Sequence, residues 1–332
     1  METGACQNGG SVMWFFRERG FDEKSISAMF KKCKNLERIH RDRASDNWEY
    51  LKKIGIKERK LPSVVSRCPK ILTLSLTEKL IPMVECLSTL SSKPREVASA
   101  IAKFPHILSH SLEEKLCPLL AFFQALGVSE KHLGKTILHN PRLISYSIES
   151  KLNDIVNFLA NLGVPRDSMI GKVLVKHPYL MGYSVENRLR PTAEFLKQAG
   201  LTDANLQRVV MSNPGVLCRD VEKILRPNLQ YLRSCGFSEK QVAEVVSGCP
   251  SVLFRSVGNS LEPRMKFLVE EMGRSIEEAV ECPAFFECGL KKKVQRRHRM
   301  LKEREIECSL REMLDCNDRR FRARFGLLGI AS

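Results

Sequence analysis

The unit that decides the fold is clearest between residues 213 and 238, where the sequence runs Asn213-Pro214-Gly215-Val216-Leu217, Leu225-Arg226-Pro227, Tyr231-Leu232 and Cys235-Gly236-Phe237-Ser238. Its first proline belongs to a series with steps of 36, 36, 37, 36 and 36 residues: Pro69, Pro105, Pro141, Pro178, Pro214 and Pro250. A second series follows 13 residues after the first: Pro82, Pro118, Pro191, Pro227 and Pro263, with Asp154 in the missing place. Such a period predicts a stacked array of repeats, because one unit cannot bury its apolar face without neighbours.

Each unit is predicted to contain two helices joined by a short turn. An apolar residue stands four positions before the first proline in every copy: Val65, Ile101, Ile137, Leu174, Val210 and Val246. The first helix must end near this proline, because the residue before a proline leaves the α region and proline has no N–H to donate. The apolar pair that follows, such as Val216-Leu217, is too short for a helix and predicts a single 3₁₀ turn. The second proline suits the first turn of the second helix.

Glycines mark the ends of the second helices. The glycines followed by an apolar residue are Gly55, Gly127, Gly163, Gly200 and Gly236. This pattern predicts a left-handed glycine cap whose next side chain packs back on the helix. Ser238 and Gln241 have the spacing of a capping box at the start of a first helix. Gly273 comes one residue late, so the array is expected to be less regular after Pro263.

Composition and charge narrow the class of protein. The chain of 332 residues is 43% hydrophobic and 28% charged, and it has no apolar run of 18 residues that could cross a membrane. Its net charge of +16 favours an anionic partner, such as nucleic acid, or serves solubility. Residues 1–68 carry 15 basic and 9 acidic side chains, residues 69–283 carry 26 and 22, and residues 284–332 carry 13 and 7. The two ends are therefore the most basic parts.

The cysteines do not indicate a disulfide framework or a metal site. There are 12 of them, but none forms a Cys-x-x-Cys pair, and we expect reduced thiols. Cys68, Cys249 and Cys282 precede a first-series proline, where other copies carry unrelated residue types, so this position is interpreted as structural. No transit peptide is legible near the N-terminus, and the residues themselves do not assign a compartment.

The repeat pattern predicts the following organisation. Residues 1–13 form an N-terminal tail, and residues 14–283 form the repeat solenoid. Within the solenoid, residues 14–54 are a degenerate capping unit and the regular units occupy about 55–283. Residues 284–332 form a basic C-terminal capping unit.

The double-proline unit resembles the repeat of the mitochondrial transcription termination factor (MTERF) family. The residues that carry the resemblance are Pro178-Tyr179-Leu180-Met181, Leu189-Arg190-Pro191, Phe195-Leu196 and Gly200-Leu201-Thr202. The similarity covers about residues 14–326 and is greatest to the plant organellar branch. The resemblance implies a curved all-α superhelix with a basic concave groove. It also implies duplex DNA binding and transcription termination, with organellar RNA maturation in plant members. The implied location is the chloroplast, the mitochondrion or both.

Two groups of basic residues are candidates for nucleic-acid contact. The first recurs near the second proline and forms a ladder if the units stack: Lys79, Lys115, Lys151, Arg188, Arg190, Lys223, Arg226 and Arg264. The second is a C-terminal cluster with no acidic residue between 288 and 302: Lys291, Lys292, Lys293, Arg296, Arg297 and Arg299. The alternative is that the ladder residues are ordinary solvated positions at helix starts, where a cation is unfavourable.

The sequence shows no sign of catalysis or of a cofactor. His106 and His110 are four residues apart, but they flank the predicted turn, where the ligand geometry of one helix face does not apply. No Gly-rich phosphate loop or nucleophile elbow is present. We therefore expect a monomeric non-enzyme without metal or cofactor that binds double-stranded DNA, RNA or both, alongside organellar transcription or RNA-processing proteins. The alternative is a protein–protein scaffold without direct nucleic-acid contact.

Overall fold

The computed structural model describes residues 12–91, 93–167 and 169–327, and the predicted tail of residues 1–13 lies almost wholly outside them. The described chain forms helices and turns without a β-strand. The α-helices are α1 (Val12–Glu18), α2 (Glu23–Lys32), α3 (Arg41–Lys53), α4 (Leu61–Arg67), α5 (Ile81–Thr89), α6 (Pro94–Lys103), α7 (Cys117–Ala125), α8 (Glu130–His139), α9 (Asn153–Asn161), α10 (Met169–Lys176), α11 (Arg190–Gln198), α12 (Asp203–Ser212), α13 (Arg226–Ser234), α14 (Glu239–Gly248), α15 (Glu262–Lys266), α16 (Ile276–Glu281), α17 (Arg296–Lys302), α18 (Leu310–Leu314) and α19 (Asp318–Arg324).

Shorter helices of two other kinds lie between them. The 3₁₀ helices are Lys34–Arg38, Glu58–Lys60, Pro69–Thr73, Pro105–Ser109, Pro141–Ser145, Pro178–Gly182, Pro214–Cys218, Pro250–Phe254 and Pro283–Phe286. The π-helical turns are Leu76–Leu80, Leu112–Leu116, Ile148–Leu152, Val185–Leu189, Val221–Leu225, Val257–Leu261, Phe267–Glu271 and Leu290–Gln295. This succession of paired helices with a 3₁₀ turn confirms the predicted all-α repeat class.

The chain divides into two compact units. Unit 1 comprises residues 1–154 and 166–181, and unit 2 comprises residues 155–165 and 182–332. In both, the apolar pair of each 3₁₀ turn that begins at a first-series proline is buried, as for Ile71 and Leu72 in unit 1 and Val216 and Leu217 in unit 2.

The prolines end the first helices as predicted. Helix α12 ends at Ser212, and Asn213 before the proline takes φ −144° and ψ 71°, outside the helical region. The residues four positions before the first-series prolines are all buried, including Val65 in unit 1 and Val246 in unit 2. The predicted capping box between Ser238 and Gln241 is present at the start of α14.

The start of the second helix differs from the prediction. Pro82 is the second residue of α5, but a π turn precedes it without a break, so the helix begins at Leu76. The Leu80 N–H bonds to the Ser75 carbonyl, five residues back. The π turn places one extra residue before Pro82. The missing N–H of the proline therefore leaves no helical hydrogen bond unmade, and its ring does not clash with the carbonyl four residues back. The copy with Asp154 has the same π turn, so the proline alone does not cause it.

A series of N-caps accompanies these π turns and was missed in the sequence. Seven residues before each second-series position stands a serine or an aspartate whose side chain accepts from the N–H three residues on. These capping residues are Ser75, Ser111, Ser147, Ser184, Asp220 and Ser256. They fix the register of these six second helices and hence the position of the side chains in their first turns.

The predicted glycine caps are confirmed by left-handed backbone. Gly55 has φ +98°, and the Ile56 N–H closes the cap on the Leu51 carbonyl over 3.2 Å. Gly273 also has a positive φ. It stands one residue later in its repeat than the other cap glycines, and the π turn Phe267–Glu271 accommodates this extra residue.

Cations at the ends of the first helices join successive repeats of unit 1. Lys32 donates to the Ser66 carbonyl over 3.1 Å, Arg67 donates to the Lys103 carbonyl over 3.1 Å, and Lys103 donates to the His139 carbonyl. Each carbonyl lies at a helix C-terminus, where the backbone lacks partners and a positive charge is favourable. These cations therefore stabilise the stack.

Close packing at Gly134 provides a test of this stack. A Cβ on Gly134 of α8 would overlap the carbonyl oxygen of Leu90, whereas one on the exposed Gly258 would meet nothing within 4 Å. We expect Gly134→Ala to destabilise the protein by about 2–3 kcal/mol and Gly258→Ala to leave stability unchanged or slightly raised. Thermal unfolding followed by circular dichroism measures both, with a midpoint lowered by about 5 °C for the first variant. Equal midpoints for the two variants would contradict the close packing.

Candidate nucleic-acid interface

The ladder residues of unit 1 lie on one edge. The 3₁₀ turns that begin at Pro69, Pro105 and Pro141 contact one another in succession, and the π turns that carry Lys79 and Lys115 each contact the 3₁₀ turn of the next repeat. Because each π turn is capped by a serine, Lys79, Lys115 and Lys151 occupy the same position in the first turn of their helices. We call this row of turns the turn edge of unit 1.

The lysines of the turn edge differ in their surroundings. Lys115 is exposed and Lys79 is half-buried, and neither makes an ion pair within the described residues. The Lys151 ammonium lies 5.4 Å from the ring centroid of Tyr146. Glu149 lies near Lys115, and its pKa is lowered chiefly by hydrogen bonds from its own backbone and from Ser147. Glu78, Glu113 and Glu114 are also exposed in the π turns, so carboxylates offset much of the positive charge of the turn edge.

His110 lies near several cations of the turn edge. Burial lowers the pKa of its imidazole, and His106, Lys115, Lys70 and Lys79 lower it further. Four basic groups therefore lie near His110, and its ring is neutral at pH 7. Lys70, His106 and His110 were not among the predicted site residues, although a readable signal existed. Lys70 and His106 stand directly after a first-series proline, and His110 stands five residues after one.

Two ladder arginines of unit 2, each directly before a second-series proline, are held by carboxylates. Arg190 forms two hydrogen bonds with Glu186, of 2.9 and 3.0 Å, and Arg226 forms two with Glu222, of 2.8 and 2.9 Å. Each arginine lowers the pKa of its partner carboxyl through these hydrogen bonds. The unit 2 ladder is therefore largely neutralised by its own acids.

Two further ladder residues of unit 2 differ from these arginines. Arg188 lies 3.5 Å from Asp220, which also caps the next second helix of unit 2. Lys223 is exposed and makes no ion pair within the described residues. Among the ladder positions of unit 2, Lys223 is therefore the one whose charge faces solvent without an acidic partner.

Arg264 has a structural role. It is only 7% exposed, and its guanidinium donates to the Ser260 and Cys288 carbonyls over 3.0 and 2.7 Å. Asn47 and Asn228 occupy the same register and likewise donate to carbonyls of the following turn, over 2.7 to 3.0 Å. Burial and these bonds remove Arg264 from the surface that a nucleic acid can reach.

The C-terminal cluster separates into two sets. Lys291, Lys292 and Arg299 are exposed, and no ion pair involves them within the described residues. Lys293 donates to the Leu314 carbonyl over 2.8 Å, which ends α18. Arg296 pairs with Asp318 at the start of α19. Only the first set is available to a ligand without rearrangement.

Arg297 anchors the C-terminal helices. It is 1% exposed and donates to the Met313 and Cys316 carbonyls over 2.7 and 2.9 Å and to the Asp318 carboxylate over 2.7 Å. Its guanidinium also lies 4.4 Å from the ring centroid of Phe321. This side chain ties α17 to α18 and α19, which explains why a basic residue occupies a buried position.

No catalytic or metal constellation was found in the described part of the chain. No group of three or more His, Cys, Asp or Glu residues there could hold a metal ion. Burial raises the pKa of the Cys218 thiol to about 12, and it raises those of Cys68 and Cys249 as well, so these thiols stay protonated at neutral pH. None of the helices in the described residues is long and apolar enough to span a membrane.

An all-α repeat with a periodic basic edge defines a class of proteins whose repeats present one surface to an extended ligand. Comparison with known proteins gives the family: the mTERF family model matches residues 13–322, and the chain belongs to this family. It is 70% identical over 321 residues, 96% of each chain, to "Transcription termination factor MTERF6, chloroplastic/mitochondrial" of Arabidopsis thaliana. Over 66 residues, 19% of this chain and 13% of the relative, it is 41% identical to "Transcription termination factor MTERF4, chloroplastic" of Oryza sativa subsp. japonica.

The pair of Asp318 with Arg297 and Arg296 has a measurable pH signature. Hydrogen bonds from Arg297 and then Arg296 hold the pKa of Asp318 below its ordinary value of 3.8. A depressed folded-state pKa contributes stability above the unfolded value, and this stability is lost as the pH falls through the folded value. We expect Asp318→Asn to lower stability at pH 7, and the gap to wild type to shrink below about pH 4.

Urea unfolding at pH 7, 5 and 3 measures this gap. Asp46→Asn is the matched control, because Asp46 is exposed on α3 and makes no ion pair within the described residues. The control is expected to follow wild type at every pH. A gap for Asp318→Asn that stays constant from pH 7 to pH 3 would show that the charged pair does not stabilise the C-terminal helices.

Proposed function

We propose that the protein is an organellar nucleic-acid-binding factor that regulates transcription by termination and also takes part in RNA maturation. It holds double-stranded DNA or RNA on its basic surface and works in the chloroplast, the mitochondrion or both. Membership of the mTERF family and the name of the Arabidopsis relative support the process and the compartment. This function requires no catalytic group, metal or cofactor.

One observation carries the nucleic-acid part of the proposal. Cations recur at the repeat period on the turn edge of unit 1, where His110 lies within the influence of Lys70, Lys79 and Lys115. A row of cations at a regular spacing is suited to a phosphate backbone, because each neutralised phosphate releases condensed counterions. The contacts are sequence-independent, so they position the protein without selecting a target.

We divide the candidate residues by the contacts that they make. The residues that we propose as phosphate contacts are Lys79, Lys115, Lys223, Lys291, Lys292 and Arg299, together with Lys151, whose ammonium lies beside Tyr146. The residues that would first have to leave a carboxylate or a carbonyl are Arg188, Arg190, Arg226, Lys293 and Arg296. Arg264 and Arg297 are assigned to the stack. We propose residues 284–332 as a basic capping unit that extends the interface.

A protein–protein scaffold is the second candidate, and one feature of unit 1 favours it. A cavity of about 740 Å³ lies between α8 and α10 and combines apolar side chains such as Val128 and Val175 with Lys135 and Lys172. No carboxylate lines it. A pocket of this composition suits an acidic partner segment. The nucleic-acid function remains our conclusion, because the cations of the turn edge recur with the repeat and the chain belongs to the mTERF family.

The salt dependence of binding tests the proposed function. Neutralising about six phosphates predicts a slope of about −5 for log K against log salt on duplex DNA. Replacing Lys79, Lys115 and Lys151 together by Ala is expected to reduce the magnitude of this slope by about 3, since each lost phosphate contact removes about 1. Fluorescence anisotropy at several salt concentrations measures both slopes. The probe is a labelled duplex of about 20 base pairs, roughly the length of an extended site.

A charge-matched control separates a local interface from net charge. Lys24, Lys131 and Lys240 are exposed and make no ion pair within the described chain, so their replacement by Ala removes the same three charges elsewhere. We expect this control to keep a slope close to that of wild type. Equal losses in the two triple variants would contradict a turn-edge interface, and a slope near zero for wild type would favour the scaffold.

A further inference from the structure

A second periodic series interleaves with the lysines of the turn edge. The fifth residue after each first-series proline is Leu74, His110, Tyr146, Tyr183, Arg219 and Arg255. From the second copy onward, each of these side chains carries a planar π system. In unit 1 a lysine follows five residues later in each copy, at Lys79, Lys115 and Lys151. In the second and third copies, the turn edge therefore places a ring five residues before a lysine.

The local structure presents these side chains at the edge. Leu74, His110 and Tyr146 directly follow a 3₁₀ turn in extended backbone, with φ between −85° and −73°. The N–H of Tyr146 donates to the Leu143 carbonyl over 3.1 Å, so the backbone is satisfied within the turn. The His110 and Tyr146 side chains are both half-buried. Each ring is thus held in place by the turn while part of it stays accessible.

Each ring has a cation beside it. The Lys151 ammonium lies 5.4 Å from the centroid of Tyr146. Lys115 and Lys79 lie near His110, whose pKa is lowered first by burial and then by these and other cations. A ring next to a cation matches the chemistry of one nucleotide, because the base stacks on the ring while the phosphate meets the ammonium.

This arrangement fits an unpaired strand better than a duplex. A duplex shows proteins only the edges of its bases, whereas an unpaired strand exposes the flat faces that aromatic rings bind. Packed helices lie about 10 Å apart, so successive rings cannot contact bases stacked directly on one another in a helix. Helical repeat proteins that read one base per repeat use a comparable spacing.

We infer that the turn edge of unit 1 binds a single-stranded nucleic acid, with unpaired bases stacked on His110 and Tyr146 and the backbone held by Lys79, Lys115 and Lys151. The inference rests on the proposed function and narrows its ligand from duplex or RNA in general to an unpaired strand. Stacking tolerates any base, because every base has a π face, so this edge supplies affinity with little sequence preference.

Single replacements of the rings test the inference with the full chain. The probes are a labelled unstructured RNA of about 12 nucleotides, the DNA strand of the same sequence and the corresponding DNA duplex. This length suits roughly one binding site of a single-strand binder. Tyr146→Leu and His110→Leu are each expected to weaken binding of the single strands by about tenfold and to change duplex binding by less than about twofold. Tyr146→Phe keeps the ring and is expected to bind like wild type.

Leu74 offers a gain-of-function control. It occupies the same register without a ring, and the hydrogen bond that it accepts from Asn47 goes to its backbone carbonyl, which a change of side chain leaves in place. Leu74→Tyr is therefore expected to add a third platform and to tighten binding of the single strands by several-fold. Photocrosslinking with 5-iodouridine RNA supplies a readout in the wild-type protein, since the crosslink is expected on the peptide that contains Tyr146.

The outcomes separate this inference from the proposed function. If the leucine variants bind only the RNA strand more weakly, the inference is supported and the ribose hydroxyl has a role. If they bind the RNA strand and the DNA strand more weakly, the inference is supported for any unpaired strand. The inference is overturned if both leucine variants keep wild-type affinity for the single strands while duplex binding keeps its steep salt dependence. An equal loss on duplex and single strands also overturns it. Absence of salt-dependent binding to all three probes overturns the proposed function itself.

Discussion

Proline at the end of each first helix has no N–H to donate and forces the preceding residue out of the helical region, and the rest of each unit follows from this constraint. Asn213 illustrates it with φ −144° and ψ 71° before Pro214. The chain then makes one 3₁₀ turn, whose apolar pair is buried, and leaves it in extended backbone. A serine or aspartate starts the next helix two residues later. Because the turns stack, whatever stands at a fixed distance from the proline forms a row.

Most of the fold could be predicted from the sequence, because proline, glycine and apolar periodicity each have a local physical meaning. The left-handed backbone at Gly55 and the last residue of α12 are each determined by residues that lie within one helical turn. The π turns could not be predicted in this way. Their hydrogen bonds run five residues back and leave no distinct hydrophobic pattern, and the copy with Asp154 forms one without the second proline. The serine caps were readable, since they stand seven residues before the second-series position.

The candidate site was less predictable, because charge alone does not show what a side chain contacts. The pairing of Arg226 with Glu222 could be anticipated from its i, i+4 spacing on one helix. The burial of Arg264 could be anticipated from the register that it shares with Asn228. The contact between Arg297 and Asp318 joins residues 21 positions apart across separate helices, and no local rule predicts it. Residues whose partners lie on a different helix, outside the repeat register, therefore require the structure.

The ion pairs of unit 2 affect how its basic residues would meet a phosphate. Arg190 and Arg226 are exposed together with their carboxylates, and exposed pairs are weak and screened by salt. A phosphate can therefore replace the carboxylate at small cost, whereas it cannot replace Asp318 at the buried Arg297 without leaving unpaired polar groups behind. The same salt that weakens phosphate binding also weakens these exposed pairs, so the competing carboxylates lower the salt sensitivity of unit 2. The lysines at Lys79 and Lys115 have no such competitor within the described chain, and for this reason the steepest salt dependence is expected from the turn edge of unit 1.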